Sequence, residues 1–332
     1  MSRIVVLGSG AWGTAIALAL SRHGGHHISL WSHSREEAWA IAGAGENKLF
    51  LPGFKLPADL QITGDDTVVA EAEIVVSVIP SEFLRSTINR LKPQFRSGQV
   101  VVSATKGVER RTYLRMSEVL RQVLGELDVA IGAFSGPSFA KEVAEGQPTT
   151  VTVAFSRRSV AARVQREFSS ESLRLYTSTD LVGVELGGAL KNVIAIAAGV
   201  ASGMGLGYNS TAGLITRGIA EITRLAVACG GRRETLAGLS GIGDLVLTCT
   251  GSLSRNRTVG EALGQGRQLP EVLQSLGGKV AEGVLTCEAA LGLARKFEIE
   301  MPITEQMEKI LHEGKDPHQA IRDLMLRPGK DE

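Results

Sequence analysis

The sequence predicts an α/β protein: a mostly parallel sheet with helices on both faces, followed by an all-α C-terminal domain. Three observations carry this. Up to about residue 180, short β-branched runs alternate with helical stretches, the pattern of a parallel sheet buried on both faces. After Asp180 the strand signal stops and long runs with helical period replace it. The chain has 332 residues, more than one hydrophobic core usually organises, so two domains are expected, at 1–184 and 185–332.

The elements follow in order. A β-branched run at 4–7 leads into Gly8-Ser9-Gly10-Ala11-Trp12-Gly13, and a helix is expected at 14–22, with Gly24 placed to cap its C-terminus. Further strands are expected at 28–31, 74–79, 100–104, 129–133, 150–155 and 173–176, most of them closed by glycine, proline or serine. A short helical stretch at 139–145 follows Gly136-Pro137-Ser138. Beyond the sheet, helical runs occupy 182–204, 210–229 and 286–296, and the polar end at 327–332 reads as a frayed tail.

Composition excludes several classes. Hydrophobic residues make up 43% and charged ones 21% of the chain, the balance of an ordinary globular protein. A net charge of +1 supplies no global field for nucleic acid or an acidic membrane. Cys229, Cys249 and Cys287 are odd in number and lack CxxC spacing, which argues against a disulfide framework and a zinc site and for a reducing, cytoplasmic setting. The apolar run after Arg3 is broken by three glycines, unlike a secretory leader. The run at 182–204 carries Lys191 and several glycines, which makes it a poor membrane span.

The glycine loop sits where a dinucleotide needs it, after a strand and before a helix. Gly8 makes the tight turn, Gly10 lets a pyrophosphate approach the backbone, Gly13 packs helix on strand, and the helix start supplies amide donors. This defines a Rossmann-type unit. After the second strand, the place of a ribose-binding carboxylate is held by Ser32-His33-Ser34-Arg35, so NADP(H) is expected to be accepted alongside NAD(H). His33 or Arg35 is the candidate partner of a 2′-phosphate; Arg35 at a helix start can equally be a solvated charge.

Ligands of such sheets bind beyond the C-terminal strand ends, which directs attention to Pro80-Ser81, Thr105-Lys106-Gly107 and Gly136-Pro137-Ser138. Lys106 is either a site cation or an exposed loop lysine. Lys191 is the one Asp, Glu, Lys, Arg or His between Glu185 and Arg217, set among Leu190, Val193, Ile194 and Ala197. A desolvated lysine suits general acid–base work; the competing reading is a lysine snorkelling from a domain edge. Asp244 heads an apolar run, as a cap or as a partner for that lysine, and Thr248 lies one turn further on the same face. The turn Ser252-Leu253-Ser254-Arg255-Asn256-Arg257 offers hydroxyls, a carboxamide and two guanidiniums, a set suited to a phosphate or to a solvated basic turn.

On these residues the sequence closely resembles the bacterial-type NAD(P)-dependent glycerol-3-phosphate dehydrogenases. The resemblance rests on GSGAWGTA at 8–15, ATKG at 104–107, SGPSFAKE at 135–142, GALKN at 188–192, GIGDLVLTCTGSLSRNR at 241–257 and VAEG at 280–283, and runs nearly end to end. It implies hydride exchange between NAD(P)(H) and the sn-glycerol 3-phosphate/dihydroxyacetone phosphate pair, without a metal, in a cytoplasmic homodimer. It also implies Lys191 as the proton acceptor, supported by Asp244 and Thr248, with Asn192 beside it. Substrate contacts would come from Lys106, Gly136, Ser138, Ser254, Arg255 and Asn256. Cofactor contacts would come from Ala11, Trp12, His33, Lys106, Ala140, Arg255, Val280 and Glu282. Trp12 and the turn Gly24-Gly25-His26-His27 depart slightly from the family pattern. Two other readings stand beside this one: a dehydrogenase of another small hydroxyacid or hydroxyacyl substrate, and a non-catalytic NAD(P)H sensor, which would have no use for Lys191 with Asp244.

Overall fold

The computed structural model describes residues 1–276, 281–329 and 331. The chain divides into two compact units. A sheet unit comprises Met1–Lys106 and Leu114–Glu185, and a helical unit comprises Gly107–Tyr113 and Leu186–Glu332. The segment Gly107–Tyr113, which the sequence division leaves in the first domain, groups with the second unit.

The sheet has eight strands: β1 (Arg3–Leu7), β2 (His27–Trp31), β3 (Gln61–Thr63), β4 (Ile74–Ser77), β5 (Val100–Ser103), β6 (Ala130–Ser135), β7 (Thr149–Phe155) and β8 (Leu173–Ser178). Their spatial order is β3-β2-β1-β4-β5-β6-β7-β8. Every neighbouring pair is parallel except β6 and β7. Strand β3, three residues with polar ends at the sheet edge, is absent from the sequence expectation because so short a run has no readable alternation.

Alternation along the central strands sends side chains into two cores. Ile4, Val6, Ile74 and Val76 face the helices Ala11–His23, Ala140–Glu145 and Arg158–Phe168. Val5, Leu7, Val75 and Val101 face the helices Ser81–Leu91 and Met116–Leu124. Burial on both faces is why these strands read as continuous apolar runs. From β1 the chain passes to β2 on one side and then crosses to β4 on the other, so the carboxyl end of β1 lies at the switch point where open α/β sheets bind ligands.

In the helical unit the main helices are Leu181–Gly203, which begins in the sheet unit, Tyr208–Ala228, Asp244–Thr250, Arg255–Gly264, Glu282–Lys296, Pro302–His312 and Pro317–Met325. The first is long and apolar enough to cross a membrane by length and composition, but 89% of its most apolar window is buried within the protein. Its glycines serve a close crossing. A Cβ on Gly199 would lie 2.1 Å from the Arg257 carbonyl oxygen, and one on Gly260 would lie 2.0 Å from the Ile196 carbonyl oxygen. Side chains are excluded there, and the two backbones touch.

Candidate active site

The glycine loop occupies the switch point. Gly8 has φ 118°, a left-handed conformation that favours glycine, and its N–H donates to the Trp31 carbonyl at 3.0 Å. A Cβ at Gly13 would lie 1.9 Å from the Gly8 carbonyl oxygen, whereas one at Gly10 would meet nothing within 4 Å. Packing therefore demands glycine at 8 and 13 and makes no demand at 10. The openness at Gly10 is what a pyrophosphate needs to reach the backbone. The helix Ala11–His23 starts one residue later, with no side-chain cap and no acidic residue in its first turn, so its amide end keeps its positive character. These residues fit a dinucleotide. The Trp12 indole packs on Phe134 with ring centroids 6.1 Å apart.

Beyond β2 the residues Ser32-His33-Ser34-Arg35 carry no carboxylate, and one approaches the glycine loop from the helix that follows. Ser32 is fully buried, His33 and Arg35 are exposed, and Ser34 caps the helix Arg35–Ala44 by accepting the Glu37 N–H at 3.1 Å. Glu37 then reaches back to the Ser9 hydroxyl of the glycine loop. A carboxylate thus enters from the helix's first turn instead of the strand end. The spacing Ser34-x-x-Glu37, that of an N-cap residue and an acid three positions on, carried the signal.

The loops after β4, β5 and β6 are tied together. Thr105 donates its hydroxyl to the Ile79 carbonyl at 2.7 Å. The Gly136 carbonyl accepts from Lys106 Nζ at 3.1 Å and from the Ser138 hydroxyl at 2.8 Å. Gly136 has φ 145°, and a Cβ there would lie 2.9 Å from the Val151 Cα. Lys106 is half-buried, and Ala140 opens the helix Ala140–Glu145.

In the helical unit Lys191 is 6% exposed. Its Nζ donates to the Asp244 carboxylate and, at 2.7 Å, to the Thr248 hydroxyl. The Thr248 hydroxyl donates in turn to the Asp244 backbone carbonyl at 2.6 Å. A π-helical turn, Leu239–Gly243, delivers Asp244 to the head of its helix, an irregularity often found at functional sites. A Cβ on Gly187 would lie 2.4 Å from the Ser240 carbonyl oxygen. Gly187 is one turn before Lys191, and its missing side chain lets the π turn press against the lysine's helix. Burial pushes the neighbouring Cys249 thiol up to about 12, with Lys191 opposing and Asp244 adding to it.

Asn192 and Asn256 are both buried. Asn256 donates to the Asn192 carboxamide oxygen at 3.0 Å and accepts the Gly283 N–H at 3.0 Å, joining three helices. Ser254 caps the helix Arg255–Gly264 by accepting the Arg257 N–H at 3.2 Å. Burial pulls the Arg255 guanidinium below its ordinary value, with the Glu282 carboxylate opposing. Val280 lies outside the described residues. Gly283 and Asn47 were not candidates from sequence, because a single glycine or amide carries no signal until a partner is known; Glu37 was not one either, although its spacing from Ser34 was readable. Among the described residues no group of three or more His, Cys, Asp and Glu side chains could hold a metal ion.

A dinucleotide loop at a sheet switch point and, in a helical unit, a buried lysine paired with an aspartate define the class of two-domain nicotinamide-dependent dehydrogenases. Family models place the chain more closely. Residues 3–161 match the NAD-dependent glycerol-3-phosphate dehydrogenase N-terminus and residues 180–322 match its C-terminus. The chain belongs to this family. It is 57% identical to a glycerol-3-phosphate dehydrogenase [NAD(P)+] of Acidobacterium capsulatum over the whole of both chains, and 55% identical to one of Koribacter versatilis over 100% of this chain and 99% of that one. The crystal structure of a glycerol-3-phosphate dehydrogenase from Coxiella burnetii superposes with a TM-score of 0.94 at 38% identity, covering 98% of this chain and 99% of that one. A ketopantoate reductase family structure from Ralstonia eutropha shares the fold at a TM-score of 0.59 and 16% identity, over 96% of this chain and 99% of that one. Fold alone therefore does not choose the substrate.

Proposed function

We infer that the chain interconverts sn-glycerol 3-phosphate and dihydroxyacetone phosphate with NAD(P)(H), supplying glycerol 3-phosphate for phospholipid synthesis in the cytoplasm, as a homodimer. The observation that carries the chemistry is the buried Lys191–Asp244–Thr248 cluster, in a chain whose two halves both match the family. The nicotinamide ring, when bound, gives or takes the hydride at the substrate's C2. Lys191 handles the proton on the C2 oxygen, as general base in oxidation and general acid in reduction. Asp244 and Thr248 hold its Nζ in place, which limits the positional freedom that weakens catalysis.

In the helical unit Ser254, Arg255 and Asn256 recognise the substrate, with Arg255 suited to the phosphate through paired guanidinium hydrogen bonds and Asn192 adjoining. In the sheet unit Lys106, Gly136 and Ser138 contribute to the same recognition. Gly8, Gly10, Ala11, Trp12, Gly13, His33, Arg35 and Ala140 there, with Arg255, Val280 and Glu282 from the helical unit, serve the cofactor.

The test is oxidation of NADPH and of NADH, followed by nicotinamide absorbance, with dihydroxyacetone phosphate or unphosphorylated dihydroxyacetone. Turnover confined to the phosphorylated ketone is expected. Equal rates with both ketones, or turnover of 2-oxoacids instead, would sink the substrate assignment.

A further inference from the structure

The glycine loop has a freedom at position 10 that a side chain would limit. Gly10 has none, and a Cβ there would meet nothing within 4 Å, so no side-chain contact at that residue fixes the Ser9–Gly10 peptide plane. The direction of that plane matters, because a trans peptide sets its carbonyl and its N–H on opposite sides, and the loop's N–H groups are what meet a pyrophosphate.

Asn47 removes the freedom. It is 1% exposed, and its Nδ2 donates to the Ser9 carbonyl at 2.6 Å and to the Thr14 hydroxyl at 2.8 Å. The Thr14 hydroxyl donates to the same Ser9 carbonyl at 3.3 Å. Asn47 is itself held from outside the loop. Its carboxamide oxygen accepts the Phe50 N–H at 3.2 Å, and its backbone carbonyl accepts the Leu51 N–H at 2.9 Å. A bridge between Glu46 and Lys55 and a hydrogen bond from the Gly53 N–H to the Glu46 carboxylate at 2.8 Å close the surrounding turn. The amide donor is therefore preorganised, and the Ser9 carbonyl is drawn inward to it.

We propose that Asn47 is a positioning residue for dinucleotide binding: its buried carboxamide holds the Ser9 carbonyl inward, so that the Gly10 N–H in the same plane is presented outward to the cofactor's pyrophosphate. This rests on the loop's binding NAD(P)(H). Because the pyrophosphate is common to both cofactors, Asn47 acts equally on each and not on the phosphorylated substrate.

The experiment measures Kd for NADH and NADPH by titration calorimetry on the substrate-free full chain, for the wild type, Asn47→Ala, Asn47→Asp and Thr14→Val. Asn47→Asp keeps the acceptor toward Phe50 and replaces the donors. Both Asn47 variants should bind each cofactor about 10- to 100-fold more weakly, by the same factor for the two. Thr14→Val should show a smaller loss in the same direction. At saturating cofactor, kcat and the KM for dihydroxyacetone phosphate should stay within about twofold of wild type, since a positioning role for cofactor binding is spent before chemistry. If Asn47→Ala does not fold, Asn47→Asp and Thr14→Val decide the question. Unchanged Kd in a folded variant overturns the proposal, as does a loss confined to kcat. A wild type that binds neither cofactor refutes the dinucleotide reading itself.

Discussion

The glycine loop at 8–13 and the Lys191 cluster answer opposite chemical needs in opposite ways. The loop works through backbone, and its requirement is mostly for side chains to be missing: Gly13 leaves room for the Gly8 carbonyl, and Gly10 leaves room for a ligand. The cluster works through side chains removed from water, with Lys191, Asp244 and Thr248 brought together from positions 53 and 57 residues apart. A backbone device is local and repeats across many dehydrogenases, so it says little about substrate. A buried polar cluster is assembled by the whole unit, and each member depends on the others.

The largest effect is expected at Lys191. Lys191→Ala should lower kcat by about 10²- to 10⁴-fold, the span of a general acid–base group, while the Kd for NADH measured by calorimetry stays at the wild-type value. Near-normal turnover would falsify the catalytic assignment. Arg255→Ala should act next most strongly, raising the KM for dihydroxyacetone phosphate about 10- to 100-fold through loss of a charge-assisted contact. An unchanged KM in steady-state kinetics removes Arg255 from the phosphate site.

Within the loop the two glycines should separate. Gly13→Ala forces a Cβ to within 1.9 Å of the Gly8 carbonyl oxygen, and overpacking of this kind costs about 1–3 kcal/mol, visible as a lower thermal midpoint. Gly10 has φ −64° and no atom within reach of a Cβ, so Gly10→Ala should leave the midpoint alone and weaken cofactor binding. Equal midpoints for the two variants would contradict the packing role of Gly13. A smaller effect is expected at Glu37, whose carboxylate sits on Ser9. Glu37→Gln should shift the NADPH-to-NADH ratio of kcat/KM a few-fold toward NADPH, because a like charge near an added phosphate is removed; a shift toward NADH reverses the sign of that reasoning.

The thiol beside the lysine should react weakly. Burial pushes Cys249 up to about 12, so little thiolate forms near neutral pH. Its reactivity should stay low until the pH climbs toward that value. Iodoacetamide should modify half-buried Cys229 first and reach buried Cys249 and Cys287 only in unfolded protein, as read by peptide mass mapping. Labelling of Cys249 in the native enzyme would show the helical unit to be open at the Lys191 cluster.

Much of this was legible in the sequence for identifiable reasons. The strands of the central sheet are apolar on both faces and end in turn-forming residues, so seven of the eight stand within two residues of expectation. The glycine loop was legible because every part of it lies within one turn of chain. Lys191 stood out as a lone charge in an apolar helix, and Asp244 as an acid at a helix start.

Sequence by itself determined the class of fold, the glycine loop and the residue types of the buried Lys191 cluster, because these rest on local periodicity and on contiguous spacing. Tertiary structure alone decided that Asp244 partners Lys191 instead of capping its own helix, that the Glu37 carboxylate reaches Ser9, and that the Asn47 carboxamide meets the Ser9 carbonyl. Each of these is a contact between side chains or backbone groups distant along the chain. Such contacts depend on which backbones approach closely enough, as Gly187 allows at Ser240, and no single residue announces that approach before the chain has packed.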